Sequence, residues 1–210
     1  MRLFLHLFLL INLLTLSACT TNRPAGTNVI PDHLTTAENL YFSDLKTDYL
    51  YKMRMEIYGH NLSGLLIIKK ISPEKHRVVL TTDFGNKMLD FEISQSEFQM
   101  HYAAPAMDRK VVRKILEQDF RLLLTPKFYI QTSVDDTEQS IYTAAQNGRT
   151  VNLYYNSEGL LTNLQQLRRG KEQLVFSFEG KSPIFADAVQ LIHKDISLQI
   201  ELTHITGDSQ

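Results

Sequence analysis

A mainly β, antiparallel domain carrying one amphipathic helix is the fold class this sequence predicts, and three observations predict it. From Tyr51 onward most segments alternate apolar and polar residues, with turn residues at roughly ten-residue spacing. Only Asp108 to Leu124 switches to the helical period. The aromatics are 11 Phe and 9 Tyr with no Trp, a set that packs well on pleated strands.

The chain opens with Met1-Arg2, an apolar run from Leu3 to Leu16, and Ser17-Ala18-Cys19. One positive charge, a short apolar core and small residues at the break describe a secretory signal over residues 1–18, too short to span a bilayer comfortably. Leu16-Ser17-Ala18-Cys19 resembles the bacterial lipobox, in which the Cys thiol is diacylated and becomes the new N-terminus. An ordinary signal peptide with a chance Cys is the alternative. All four positions fit, and Cys19 is the only Cys, which favours the lipobox and excludes an internal disulfide. Two or three acyl chains anchor firmly, which one chain does not. Thr20, in place of Asp, favours sorting to the periplasmic face of the outer membrane by the enteric rule.

Residues 19–33 then form the lipidated Cys and a polar, Pro- and Gly-bearing tether, and residues 34–210 form the domain. Beyond Cys19 lie 191 residues, enough for one core and consistent with a monomer. Removing Arg2 leaves 21 basic against 23 acidic residues, a net charge near −2. With no basic stripe, nucleic acid is not an expected partner.

Thr35 or Thr36 can cap a short helix from Ala37 to Leu45, with Leu40 and Leu45 inward. Tyr51 to Tyr58 is a strand with Met53, Met55 and Ile57 on one face and Lys52, Arg54 and Glu56 on the other. Gly59-His60-Asn61 turns into a strand from Leu62 to Ile71, and Ser72 to Lys75 turns into His76 to Asp83. Phe84-Gly85-Asn86 is a tight turn with an aromatic at its tip. Leu89, Phe91 and Ile93 then share a face opposite Asp90 and Glu92, and Phe98, Met100 and Tyr102 repeat the period.

Asp108 can cap the helix, whose apolar stripe is Val111, Val112, Ile115, Leu116, Phe120 and Leu123. Arg109, Lys110, Arg113, Lys114 and Glu117 take the opposite side, and Pro126 ends the helix near Leu124. That stripe must lie on the concave face of the sheet. Strands follow at Ser140–Ala145, Thr150–Tyr155, Leu160–Leu167, Glu172–Phe178, Ala188–Ile192 and Ile196–Leu202, the last with Ile196, Leu198, Ile200 and Leu202 inward. The total is ten or eleven strands.

Chemistry is sparse. Six His lie beyond the signal (His33, His60, His76, His101, His193, His204), none at metal-ligand spacing, and read as surface or turn residues. No nucleophile elbow, dinucleotide loop or P-loop is present. Asp135-Asp136-Thr137-Glu138 lacks the remaining ligands of a Ca²⁺ loop. No catalytic residue, metal or cofactor is expected, so the chain is not read as an enzyme. Two features remain. The Met- and Phe-rich face is either a packed core or a lining for flexible acyl chains. Phe84 either folds back over its hairpin or stands exposed to touch a membrane or lipid cargo.

The order of elements from about Leu50 to Ile205 resembles the LolA/LolB superfamily of bacterial lipoprotein carriers and receptors. Leu62-Ser63-Gly64-Leu65-Leu66 is similar to its early strand with an embedded Gly, and Val78 to Ile93 to the strand pair whose loop bears an exposed apolar residue in receptor members, here Phe84. Arg109 to Leu124 is similar to its lid helix, and Ile196 to Ile205 to its closing strand.

The resemblance implies an incomplete, strongly curved antiparallel β-barrel with a helical lid over an apolar cavity. Met53, Met55, Ile57, Leu89, Phe91, Ile93, Phe98 and Met100 would line the cavity, under a lid bearing Val111, Val112, Ile115, Leu116 and Phe120. The implied function is binding the acyl chains of lipoproteins or lipids, with reception from a LolA-like periplasmic carrier and insertion at the outer membrane. A structural or assembly lipoprotein with a filled core, binding another envelope protein, is the rival reading.

Overall fold

The computed structural model describes residues 35–105 and 107–205. The signal, Cys19 and the tether lie outside the described residues. Thirteen strands and one helix follow in order: β1 (Thr36–Glu38), β2 (Asp48–Ile57), β3 (His60–Ser72), β4 (Lys75–Thr81), β5 (Lys87–Ile93), β6 (Phe98–Ala103), α1 (Lys110–Leu123), β7 (Lys127–Asp135), β8 (Gln139–Gln146), β9 (Arg149–Asn156), β10 (Leu161–Arg168), β11 (Lys171–Glu179), β12 (Ala188–His193) and β13 (Leu198–His204). All pair antiparallel in one sheet, β1-β7-β8-β9-β10-β11-β12-β13-β2-β3-β4-β5-β6, so β1 and β6 are free edges and the barrel does not close.

Curvature follows from what α1 touches. Phe120 meets the ring of Phe91 on β5 edge-on at 5.3 Å. The residue before it, Asp119, bonds His193 on β12. Those strands stand five positions apart in the sheet, roughly 24 Å if flat at the usual strand spacing. A helix is only about 10–12 Å across, so the sheet curls around it.

The strand count exceeds the expected ten or eleven by β1 and β7. In β7 a register break between Ile130 and Thr132 destroys the period of two, moving burial from Phe128 to Ser133. Where a short helix was expected, β1 instead pairs with β7. Leu40 and Leu45 are exposed, and Tyr41 and Phe42 fill the core in their place. Asn39 fixes this segment: its side-chain NH₂ donates to the Leu123 carbonyl at 2.7 Å, and its Oδ1 accepts from the Tyr41 N–H at 3.1 Å. It thus satisfies a carbonyl that the helix end leaves open.

Helix α1 also departs from expectation at its start. Arg109, not Asp108, is the N-cap, and its side chain makes no capping bond. Asp108 pairs with Arg113 instead. Val111 stands in solvent at 62% exposure, while Leu116, Phe120 and Leu123 are buried. The C-terminal half of α1 is a packed layer of the core: beside Phe120, Leu123, Phe176 and Leu202 only about 10 Å³ stays empty.

Two more side-chain placements differ from the sequence reading. His76 is buried, its Nε2 2.9 Å from the Phe42 carbonyl. Asp90, expected on an outer polar face, is 2% exposed because Arg77 grips both its oxygens at 2.9 Å and Lys87 adds a contact at 2.7 Å.

Candidate functional site

A pocket of about 390 Å³ opens between the N-terminal half of α1 and strands β2, β3 and β13. Its apolar wall comes from Met55, Leu62, Val112, Leu116, Leu198 and Ile200, with Ile57, Met107 and Ile115 beside them. Alternation along β2 and β13 turns these side chains inward, and the 3.6-residue period does the same for α1. Of the buried lining residues, Met55, Leu116, Leu198 and Ile200 form the apolar floor, with Met107 and Asp119 beside them. The exposed ones, Tyr58, His60, Asn61 and Arg109, form the mouth.

The structure divides the residues expected to line one cavity. Met55 and Ile57 line this pocket. Met53, Leu89, Phe91 and Ile93 lie within the packed core, where Phe91 contacts Phe98 and Phe120. Phe98 and Met100 border a separate, open groove of about 950 Å³ under the charged side of α1, beside Lys110, Arg113, Lys114 and Glu117. Of the helical stripe, Val112, Ile115 and Leu116 reach the pocket, Phe120 does not, and Val111 faces water.

Phe84 is 94% exposed at the tip of the β4–β5 turn. The turn itself is well defined. Thr82 N–H donates to the Asn86 carbonyl and Gly85 N–H to the Thr82 carbonyl, both at 2.9 Å, with Gly85 at φ +81. Asp83 ties it to the neighbouring strands through Lys52 and a 3.1 Å bond donated by Ser63. Because β2 to β5 run in alternating directions, the β2–β3 and β4–β5 turns close at one end of the sheet. Phe84 therefore shares that end with Tyr58 and the pocket mouth.

Asp119, at the pocket's inner side, is buried and hydrogen-bonded to His193 Nε2 at 2.8 Å. Burial pushes the Asp119 carboxyl above its usual range, with the His193 bond pulling the other way. For His193 burial opposes protonation, but the bond and charge of Asp119, aided by Asp195, outweigh it and raise its pKa. His193 Nδ1 faces Asp195 at 3.7 Å, so both ring nitrogens look at carboxylates. Neither is placed to activate a nucleophile. Among the described residues no group of three or more His, Cys, Asp or Glu side chains could hold a metal ion.

Sequence reasoning missed this pair, although a signal existed. Asp119 falls in the middle of the apolar stripe, three residues from Leu116 and four from Ile115, and a charge there calls for a buried partner. Leu198 and Ile200 were legible as inward residues. Met107 lies in an irregular link, where no period exists to reveal it.

The sequence matches no protein-family model and no curated protein. Among solved structures it is similar to a LolA superfamily protein from Nitrosomonas europaea, at 10% identity and a TM-score of 0.50 over 79% of this chain and 87% of that one. It also aligns with a DUF1329 family protein from Desulfovibrio piger (7% identity, TM-score 0.47, 76% and 83% of the two chains). A third alignment is with a putative outer membrane lipoprotein-sorting protein domain from Vibrio parahaemolyticus (8%, 0.45, 78% and 86%). The first likeness shows a common fold, that of a LolA superfamily protein.

Proposed function

We propose that this is a lipid-anchored envelope protein that binds an acyl chain in the pocket between α1 and β2, β3 and β13. The observation that carries the reading is the pocket itself, whose floor is apolar and whose volume of about 390 Å³ falls in the range of small-molecule sites. Acyl binding needs apolar area and no catalytic group. Each buried methylene contributes about 0.8 kcal/mol before ordering costs. Met55 and Met107 supply adaptable lining.

The finer role is reception of acylated lipoproteins from a LolA-like periplasmic carrier and their insertion at the periplasmic face of the outer membrane, with Cys19 as the anchor. The lipobox and the LolA-type fold support it. Phe84 touches the bilayer or cargo at the end where the pocket opens, and the N-terminal half of α1 serves as the lid. A pocket near the lower end of the usual range holds one chain. A triacylated cargo requires α1 to move.

The deciding experiment mixes residues 20–210 with a purified carrier loaded with a triacylated lipoprotein, and with a non-acylated cargo as control. Acyl-dependent transfer is expected. No transfer removes the receptor role and leaves lipid binding to be measured alone. The rival assembly reading draws on the packing of Leu89, Phe91 and Ile93, which leaves that part of the interior filled. If it holds, an apolar fluorescent probe finds no site.

A further inference from the structure

Polarity in the pocket is graded. The floor residues Met55, Leu116, Leu198 and Ile200 are buried and apolar, while the mouth carries Arg109 and His60, both exposed. Arg109 is held there by backbone geometry. As the N-cap it is extended, at φ −116 and ψ 138, its N–H donates to the Met107 carbonyl at 2.9 Å, and its own carbonyl accepts from the Arg113 N–H at 3.0 Å. Its side chain contributes nothing to capping. Among the described residues it forms no ion pair, whereas Arg77, Arg113 and Arg121 each have a carboxylate partner.

Among the described residues the only carboxylate that lines the pocket is Asp119, which is committed to His193 on the inner side. An anionic group would meet a carboxylate at the inner side and an uncommitted guanidinium at the rim. The two ends of the pocket thus fix the direction of entry: chain inward, head at the mouth.

We infer that the pocket selects a single-chain amphiphile with an anionic head, a carboxylate or a phosphate, which pairs with Arg109 at the mouth beside His60. This rests on the acyl-binding reading and narrows it, because a neutral ester or amide carbonyl can accept a hydrogen bond from the guanidinium but brings no charge to pair with it. A planar guanidinium matches the two oxygens of either anion, so both sources share one chemistry.

The test is native mass spectrometry of the full chain in mild detergent, titrated separately with hexadecanoate, hexadecyl phosphate and hexadecanol, which share one chain and differ in the head. Binding of at least one anionic ligand about tenfold tighter than hexadecanol is expected, from one charge-assisted hydrogen-bonded pair. Carboxylate preference points to a fatty acid and phosphate preference to a lysophospholipid. Arg109→Gln should bring the anionic ligands down to the hexadecanol level without changing hexadecanol itself, and Arg109→Lys should restore part of the difference. Equal binding of all three ligands, with Arg109→Gln silent, overturns the headgroup inference and leaves the acyl pocket standing. Failure of all three to bind overturns both.

Discussion

Asp119 Oδ2 and His193 Nε2 stand 2.8 Å apart, and through them the apolar face of α1 is bonded to β12 across the concave side of the sheet. Phe120 and Leu123, next along the helix, are sealed against β5 and β11–β13, whereas Val112 and Ile115 border the open pocket. The polar pair thus marks the boundary between the fixed and the coverable parts of the helix. His193→Ala leaves a buried carboxylate without its partner, at a cost of about 3 kcal/mol or more. Urea unfolding should register that loss, and a change below about 1 kcal/mol would mean that the pair does not hold α1.

The same pair predicts a pH dependence above neutrality. His193 has a raised pKa in the folded state, so its contribution is complete below the unfolded value of 6.5 and is lost as pH rises through the folded value. The raised Asp119 acts with the same sign, since the folded state again holds the extra proton. His76 is shifted the other way by burial, so its effect has the opposite sign and falls between its lowered folded value and the unfolded 6.5. Thermal stability should fall as pH rises above 6.5. His193→Asn should flatten that limb. An unchanged slope in the variant would assign it elsewhere.

Acid sensitivity should have a different origin. The hydrogen bonds from Arg77 hold the Asp90 carboxyl well below its ordinary range, at about 2, with Lys87 assisting against burial. Its contribution is present above the unfolded value of 3.8 and disappears as pH falls towards 2. Asp90→Asn should therefore be less stable at pH 7 and lose less on acidification, which circular dichroism along a pH series would read.

Gly64 fixes how closely β3 can approach β4. A Cβ at this position would lie 2.0 Å from the Thr81 carbonyl oxygen, a backbone atom that cannot rotate away. Gly64→Ala should destabilise by about 2 kcal/mol or more, because the strands must separate. A denaturant midpoint equal to that of the parent would show that they can shift at little cost.

Much of the sheet was legible because eleven of its strands keep the period of two or sit between clear turns. The strands that were not legible, β1 and β7, have three residues and a register break respectively, and neither leaves a periodic trace. Single-sequence reading also assigns one inward face per strand and cannot say what that face meets. Met53 and Met55 are equivalent by period, yet only Met55 borders the pocket. Asp90 and Glu92 are equivalent on the other face, yet Asp90 is buried by cations from its own and the adjacent strand, and Glu92 is not. Phe84 was legible as a loop tip. Its exposure had to be seen.

That exposure makes Phe84→Glu a clean test of surface contact. At 94% exposure the ring packs against nothing that folding needs, so stability should stay within about 0.5 kcal/mol of the parent. Co-sedimentation with vesicles, or cargo transfer, should fall by severalfold. Full retention of both would remove Phe84 from the mechanism.

Filling the pocket separates its role from that of the core. Ile115 borders the cavity and is only partly buried, so Ile115→Trp adds an aromatic where empty volume exists. Overpacking costs about 1–3 kcal/mol in a dense core, but here the added ring replaces void and should leave thermal stability unchanged or raise it. Uptake of an apolar fluorescent probe should drop severalfold, since the larger indole takes volume from a pocket of about 390 Å³. Phe91→Leu provides the contrast. Phe91 lies in the packed region against Phe98 and Phe120, and its truncation should lower stability while probe uptake persists. The opposite pattern, with Ile115→Trp unfolding the protein and Phe91→Leu abolishing uptake, would move the binding site into the interior beside β5 and away from the β2–β13 side.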